Sequence, residues 1–287
     1  MPRDTPPPLP VRHQRADGAF ELRFGPGPRG GGGTALRHLF QQAPLRVLFP
    51  VPEPGDPPLA ALVNCAGGLA GGDALRQAVR LEAGARATVC TAAAEKVYRS
   101  LGPETRIGTG LALGPGAALE WIPQETILFD GARLHRRLRA DLAEGATLLA
   151  AETLVFGRAA RGERLREGSV FDAWRLHGPA GLLWADALAL SGDLAVPLGG
   201  TFGFAGAEAL GTLLLAGPPG KAEAGREMLR ALPETAPGGA TLPRPGLLLA
   251  RWLGGAAAVR AAVGAGIAAL RAAALGLPPR LPRLWTT

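Results

Sequence analysis

A chain of 287 residues, 47% of them apolar, has room for one large domain or two small ones and the material for a sizeable core, which excludes a disordered protein. The net charge of +7 is almost all arginine, since Lys96 and Lys221 are the only lysines. Arginine rises together with alanine, glycine and proline, as a GC-rich coding bias would have it, so charge alone does not argue for nucleic acid. Two cysteines, Cys65 and Cys90, exclude a disulfide framework, and no charged stretch followed by an apolar run opens the chain, so a cytoplasmic location is expected.

Met1–Pro10 is half proline, and residues 1–18 are expected to form a disordered tail before a single domain over 19–287. Ala19–Phe24 alternates and predicts a first strand, followed by a Gly/Pro loop over Gly25–Gly33. Leu45–Phe49 predicts a second strand, Pro50–Pro58 a proline-rich loop, and Leu59–Val63 leads into a glycine segment, Gly67-Gly68-Leu69-Ala70-Gly71-Gly72-Asp73. A quasi-repeat then appears. Arg80–Val89, Leu111–Trp121 and Leu142–Leu149 each read as strand, Gly-Ala turn, strand, with turn glycines Gly84, Gly116 and Gly145 roughly 30 residues apart. Stacked hairpins or a β-solenoid fit that period, and a sandwich would also turn this often. Strands continue through Ser169–Leu176, Leu182–Trp184 and Leu188–Leu190. Helix formers fill Lys221–Leu232, a strand follows near Leu247–Trp252, and Ala256–Leu275 predicts a second helix with Arg260 and Arg271 on one face. Those two arginines leave only ten residues between them, too few to span a bilayer. The fold class is mostly β, a stacked or β-helix-like scaffold with two helices toward the C-terminus.

Chemistry is sparse. No Gly-Lys-Ser/Thr follows the glycines, and strand patterns rather than a helix come after them, so neither a P-loop nor the dinucleotide fingerprint is present. Ser100, Ser169 and Ser191 lack a Gly-x-Ser-x-Gly setting. Cys90 sits on an alternating strand as a small core residue; Cys65 flanks the glycines, with structural and functional readings both open. His13, His38, His135 and His177 are scattered singles that form no metal-ligand spacing. The acidic residues set among apolar neighbours are Asp73, Glu152 and Asp186. Each can be a turn cap, a partner for an arginine, or a weak stop for a metal ion in passage. Lys96, Tyr98 and Arg99 could be a catalytic or anion-binding trio, or an interface. The basic run Arg133–Arg139, interrupted by Leu134 and Leu138, reads first as a solvated strand face, next as a site for an acidic partner, and last as one for nucleic acid.

The glycine segment followed by Ala93-Ala94-Glu95-Lys96-Val97-Tyr98-Arg99-Ser100 resembles the urease accessory protein family UreD, also called UreH. Leu119-Glu120-Trp121-Ile122-Pro123-Gln124-Glu125, Phe129–Ala132, Gly157-Arg158 with Gly162-Glu163, and the ending Leu281-Pro282-Arg283-Leu284-Trp285 extend the resemblance in order over about residues 67–287. It implies a β-stack with two helices and a function that composition could not supply. Such a protein would be a non-enzymatic scaffold that docks on apo-urease with the helical protein UreF and the GTPase UreG and aids nickel insertion. No cofactor would be tightly bound, nickel would be held only in transit, and neither nucleic acid nor membrane would be a partner. Carried over, Asp73 is the aspartate of the glycine motif and the first choice for a nickel path. Glu152 falls on an acidic position, and Asp186 matches another with a one-residue shift. Gly67, Gly68, Gly71, Gly72, Lys96, Tyr98, Arg99, Trp121, Pro123, Arg283 and Trp285 are the structural or interface positions. Where relatives can carry His-Pro-Pro, this chain has Asn64-Cys65-Ala66, and Glu95 stands where a small residue can occur; a nickel-handling histidine there would be missing or replaced by Cys65. A transit path should bind nickel weakly, which carboxylates and water suit better than a closed Cys/His site. The repeat alone would also allow a β-helical carbohydrate-active enzyme, which needs paired carboxylates, and the charge alone a basic RNA-binding module.

Overall fold

A computed structural model describes residues 15–27 and 33–286. The chain enters through an antiparallel hairpin of β1 (Asp17–Pro26) and β2 (Thr34–Gln42), then crosses through β3 (Leu45–Leu48) and β4 (Leu59–Asn64). It next winds in coils: β5 (Ala74–Leu81), β6 (Arg86–Thr91) and β7 (Glu95–Val97); β8 (Thr105–Leu113), β9 (Ala118–Trp121) and β10 (Thr126–Leu128); β11 (Arg133–Leu142) and β12 (Thr147–Phe156). β13 (Glu167–Gly178) begins another coil but folds back as β14 (Gly181–Asp193). A short helix α1 (Ala195–Gly199), β15 (Ala209–Ala216), α2 (Pro219–Arg230), the hairpin β16 (Gly238–Arg244) with β17 (Leu247–Gly254), and α3 (Ala256–Leu275) complete the order. Strands account for 50% and helices for 16%, so the body is a β-stack with the helices at its C-terminal end.

Two sheets face one another. A seven-stranded sheet runs β14-β13-β11-β8-β5-β1-β2; a ten-stranded one runs β16-β17-β15-β12-β9-β6-β4-β3, with β10 and β7 attached beside β12. Strands from successive coils pair in parallel in both sheets. The repeat read in the sequence is this winding. Leu81, Leu113 and Leu142 fall on one rung and are all buried. The turn glycines Gly84, Gly116 and Gly145 share a left-handed backbone, with φ of 69°, 63° and 69°, which a residue without Cβ adopts at no steric cost. These turns also stack: Gly84 N–H donates to the Pro115 carbonyl and Gly116 N–H to that of Glu144, both at 2.9 Å.

The space between the sheets holds one core, with Phe20, Phe24, Val79, Leu111, Leu134, Leu148 and Trp174 among its members. A second core lies where the outer face of the ten-stranded sheet meets the helices, joining Cys90, Ile122, Leu149, Leu213 and Leu248 to Val259, Val263, Ile267 and Leu270. The ten-stranded sheet is thus buried on both faces, and β12 and β15 read as nearly continuous apolar runs rather than alternating ones. That is why Ala209–Ala216 carries no strand signal: a buried run of this length cannot be told from helix by periodicity. β2 is missed for the opposite reason, being exposed along most of its length.

Other readings shift in detail. Leu182–Trp184 and Leu188–Leu190 belong to the single strand β14. Residues 1–14 of the expected tail lie outside the described residues, and β1 is already formed at Asp17. The helix over Ala256–Leu275 has the expected bounds and ends on a left-handed Gly276. Length and composition alone do not separate it from a membrane span, contrary to the argument from its two arginines; 61% of its apolar window is buried inside the protein. The basic run divides. Arg133, Arg137 and Arg139 face solvent as read, but Arg136 alternates with Leu134 and Leu138 and points into the space between the sheets.

Candidate functional site

The sequence motifs converge on one corner of the winding. Gly68 has φ of 147°, and a Cβ there would lie 2.5 Å from Tyr98 Cε2, so the hydroxyl end of the ring sits against bare backbone. The Tyr98 hydroxyl donates to the Gly67 carbonyl at 2.8 Å. One coil on, the ring meets Phe129 edge-on with centroids 4.9 Å apart, and one coil further Arg158 lies 4.2 Å over Phe129 and pairs with Glu163. Gly67-Gly68, Tyr98, Phe129 and Arg158 thus form a ladder through successive coils. Lys96 and Arg99 are exposed beside it. Gly71 makes a second close approach, where a Cβ would fall 2.0 Å from Ser100 Oγ, and Gly72 has φ of 95°. Asp73 is buried and fully engaged: Oδ1 accepts the Ala16 N–H at 2.9 Å and Oδ2 the Ala70 N–H at 2.7 Å.

Between the sheets lies a polar seam. Arg136, on β11, donates through Nε to Asp172 on β13 at 3.1 Å and through a terminal nitrogen to Thr126 on β10 at 3.0 Å. Its other terminal nitrogen meets Glu152 on β12 at 2.8 Å and Asp172 again. The Trp174 indole N–H donates to both oxygens of Glu152 at 3.2 Å. Burial is the main influence on Glu152 and, with the neighbouring Asp172, holds its carboxyl well above the usual range despite the pull of Arg136. Burial would also raise Asp172, but there Arg136 outweighs it and holds the carboxyl low. A charged carboxylate therefore shares the seam with one that retains a proton more readily.

This seam opens into a cavity of about 260 Å³ lined by Glu152, Asp172, Trp174, Asp186 and Arg251. Glu152 and Asp186 are therefore brought together, while Asp73 is not among the lining residues. Among the described residues no three His, Cys, Asp or Glu side chains are grouped to hold a metal ion. Sequence reasoning missed Arg136, Asp172 and Arg251. The signal for Arg136 was available, because Leu134-x-Arg136-x-Leu138 puts an arginine on the apolar face of a strand.

A second ionic cluster anchors the C-terminus. Arg271 of α3, fully buried, donates at 2.8 Å to Glu120 on β9 and to Asp56 in the Pro50–Pro58 loop, and also to the Arg280 carbonyl. Burial raises the Glu120 carboxyl against the opposing pull of Arg271, and burial followed by Glu120 pushes the Cys90 thiol up to about 12, so Cys90 is an inert core thiol. Nearby the Trp285 indole N–H donates to the Ile122 carbonyl at 2.9 Å, and Arg260 lies 5.2 Å over the Trp285 ring. Trp121 is buried in the core beside half-buried Pro123, while Arg283 is exposed. Cys65 is exposed, and Asn64 donates to Glu95 at 3.0 Å.

Comparison with known proteins bears on the family. The model of the UreD urease accessory protein family matches residues 16–286. A urease accessory protein UreD of Granulibacter bethesdensis is 53% identical over 240 residues, 83% of this chain and 99% of that protein. UreD 1 of Methylobacterium radiotolerans is 45% identical over 293 residues, 98% of each chain. UreD of Magnetococcus marinus is 43% identical over 261 residues, 88% of this chain and 89% of that protein. With the match running from the first described strand to the tryptophan anchor, the chain belongs to the UreD family of urease accessory proteins.

Proposed function

We propose that this chain is a non-enzymatic scaffold of urease maturation that docks, with UreF and the GTPase UreG, on the urease apoprotein and offers nickel a path between its two sheets. The role in urease maturation comes with the family; the path is carried by one observation. Glu152, Asp172 and Asp186 line a single cavity between the sheets. Oxygen donors of this kind suit fast exchange of a divalent cargo. Carboxylates already satisfied by arginine bind it weakly, as transit demands. For Asp73, the two backbone hydrogen bonds favour holding the turn over passing nickel.

Co-expression with urease structural genes and the other accessory proteins tests the reading. Omitting the chain is expected to leave soluble, nickel-poor, inactive urease, and full activation without it would overturn the proposal. Glu152→Gln is expected to assemble into the complex yet lower the nickel content of urease. Asp73→Ala is expected to impair assembly itself.

A further inference from the structure

The arginines that meet the interior carboxylates are held differently. Arg136 uses Nε and both terminal nitrogens on Asp172, Glu152 and Thr126 and has nowhere to go. Arg251, on β17 and one strand in from the edge of its sheet, reaches across to Asp186 on the edge strand β14. Its side chain is 42% exposed and that of Asp186 37%. Among the described residues the pair has no further side-chain hydrogen bond, and the buried Arg251 Nε has no acceptor. Farther along the same hairpin Arg244 donates to the Leu183 carbonyl at 2.7 Å and so ties β16 to β14 without lining the cavity. The two sheets are therefore held together at this edge even when Arg251 lets go.

A guanidinium on Asp186 and a divalent cation on Asp186 exclude one another, because the two cations would share one carboxylate at close range. We propose that Arg251 is the gate of the interior cavity: paired with Asp186 it closes the mouth to divalent cations, and its withdrawal frees Asp186 to take one. The inference rests on the nickel-path reading above and adds a specificity-determining residue to it. The unmet Nε means that the closed state leaves part of the hydrogen-bonding capacity of Arg251 unused. A swing of this half-exposed side chain into water recovers that capacity, which keeps the gate movable.

Titration of the purified full-length chain with Ni²⁺ alone, followed by calorimetry, tests the gate. Arg251→Met is expected to tighten Ni²⁺ binding by about tenfold or more, the scale of removing one adjacent positive charge, while Arg251→Lys, which keeps the charge, stays within about twofold of the parent. In an Asp186→Asn background, Arg251→Met is expected to shift affinity by less than about twofold, because the gate then has nothing to guard. Should Arg251→Met fold poorly, Arg251→Gln is read in its place. An unchanged affinity, or an equal gain in the Asp186→Asn background, would overturn the gate; the second result would mark a general loss of positive charge. The underlying reading is separated by Glu152→Gln in co-expression. If that variant fails to load urease while Arg251→Met binds no tighter, the path stands and the gate falls; if Glu152→Gln loads urease fully, both fall.

Discussion

Two buried arginines in this molecule each sit between two carboxylates, yet they do different work. Arg271 joins segments that are remote in the chain: α3, β9 and the Pro50–Pro58 loop, with Asp56 and Arg271 separated by 215 residues. It shares that task with the Trp285–Ile122, Gln124–Leu284 and Arg280–Pro54 hydrogen bonds. Arg136 joins β11 to β13, which the backbone ladder already pairs, and reaches across to β12 and β10 of the facing sheet. An ion cluster is costly to bury and often adds no net stability. Where it ties distant segments it serves as a fastener. Around Arg136 it ties neighbouring strands and the two facing sheets rather than segments remote in the chain.

The largest effect should come from the fastener. Arg271→Ala leaves Glu120 and Asp56 buried without their cation and is expected to cost about 3–5 kcal/mol in denaturant unfolding; a loss under about 1 kcal/mol would erase the contrast between the two clusters. Asp172→Asn keeps the shape of the seam and removes one charge-assisted pair, with an expected cost of about 1–3 kcal/mol. The pH dependence should separate the partners within the seam. The Asp172 carboxyl is held low, so the unfolded chain binds the extra proton, and stability falls as the pH drops below the ordinary carboxylate range. Glu152 is held high, so the folded chain binds the extra proton, and stability falls as the pH rises from the ordinary carboxylate value through the raised one. Glu152→Gln should therefore flatten the decline on the alkaline side of that window, and Asp172→Asn the decline on the acid side; pH-resolved melting curves of the two variants read this directly. At the surface, the Arg23–Glu82 pair, with both side chains about half exposed, should show a coupling of only about 0.2–1 kcal/mol in a double-mutant cycle.

Much of the winding was legible in the sequence because its turns demand glycine in a left-handed conformation at a fixed period, and Gly84, Gly116 and Gly145 supply it. The helix over Ala256–Leu275 was legible from alanine content and the spacing of its arginines, which do share the face turned toward β9 and the C-terminal segment. The corner of Gly68, Tyr98 and Phe129 appeared only as motifs, because stacking between coils leaves no local pattern. The polar seam was the least legible part. Glu152 and Asp186 stood out as acids among apolar neighbours, but which arginine each would meet depends on pairing between coils and across the two sheets. Arg136 was hidden inside a run of charged residues whose other members face water. Asp73, a transit candidate through the family resemblance, accepts the Ala16 and Ala70 N–H groups, the first of them from a strand entry 57 residues away that no local pattern announces.

The covering of the ten-stranded sheet by α3 also has a consequence for the order of events during synthesis. Strands β12 and β15 emerge from the ribosome well before residues 256–275, yet Leu149 and Leu213 are covered by that last helix. Until residues 256–275 have been made, a wide apolar face lacks that helix and is open to wrong contacts. A stop codon placed just before Ala256 would remove only a tenth or so of the chain, but it would leave that face bare for good. Among truncations of similar size, that one should give the most insoluble product.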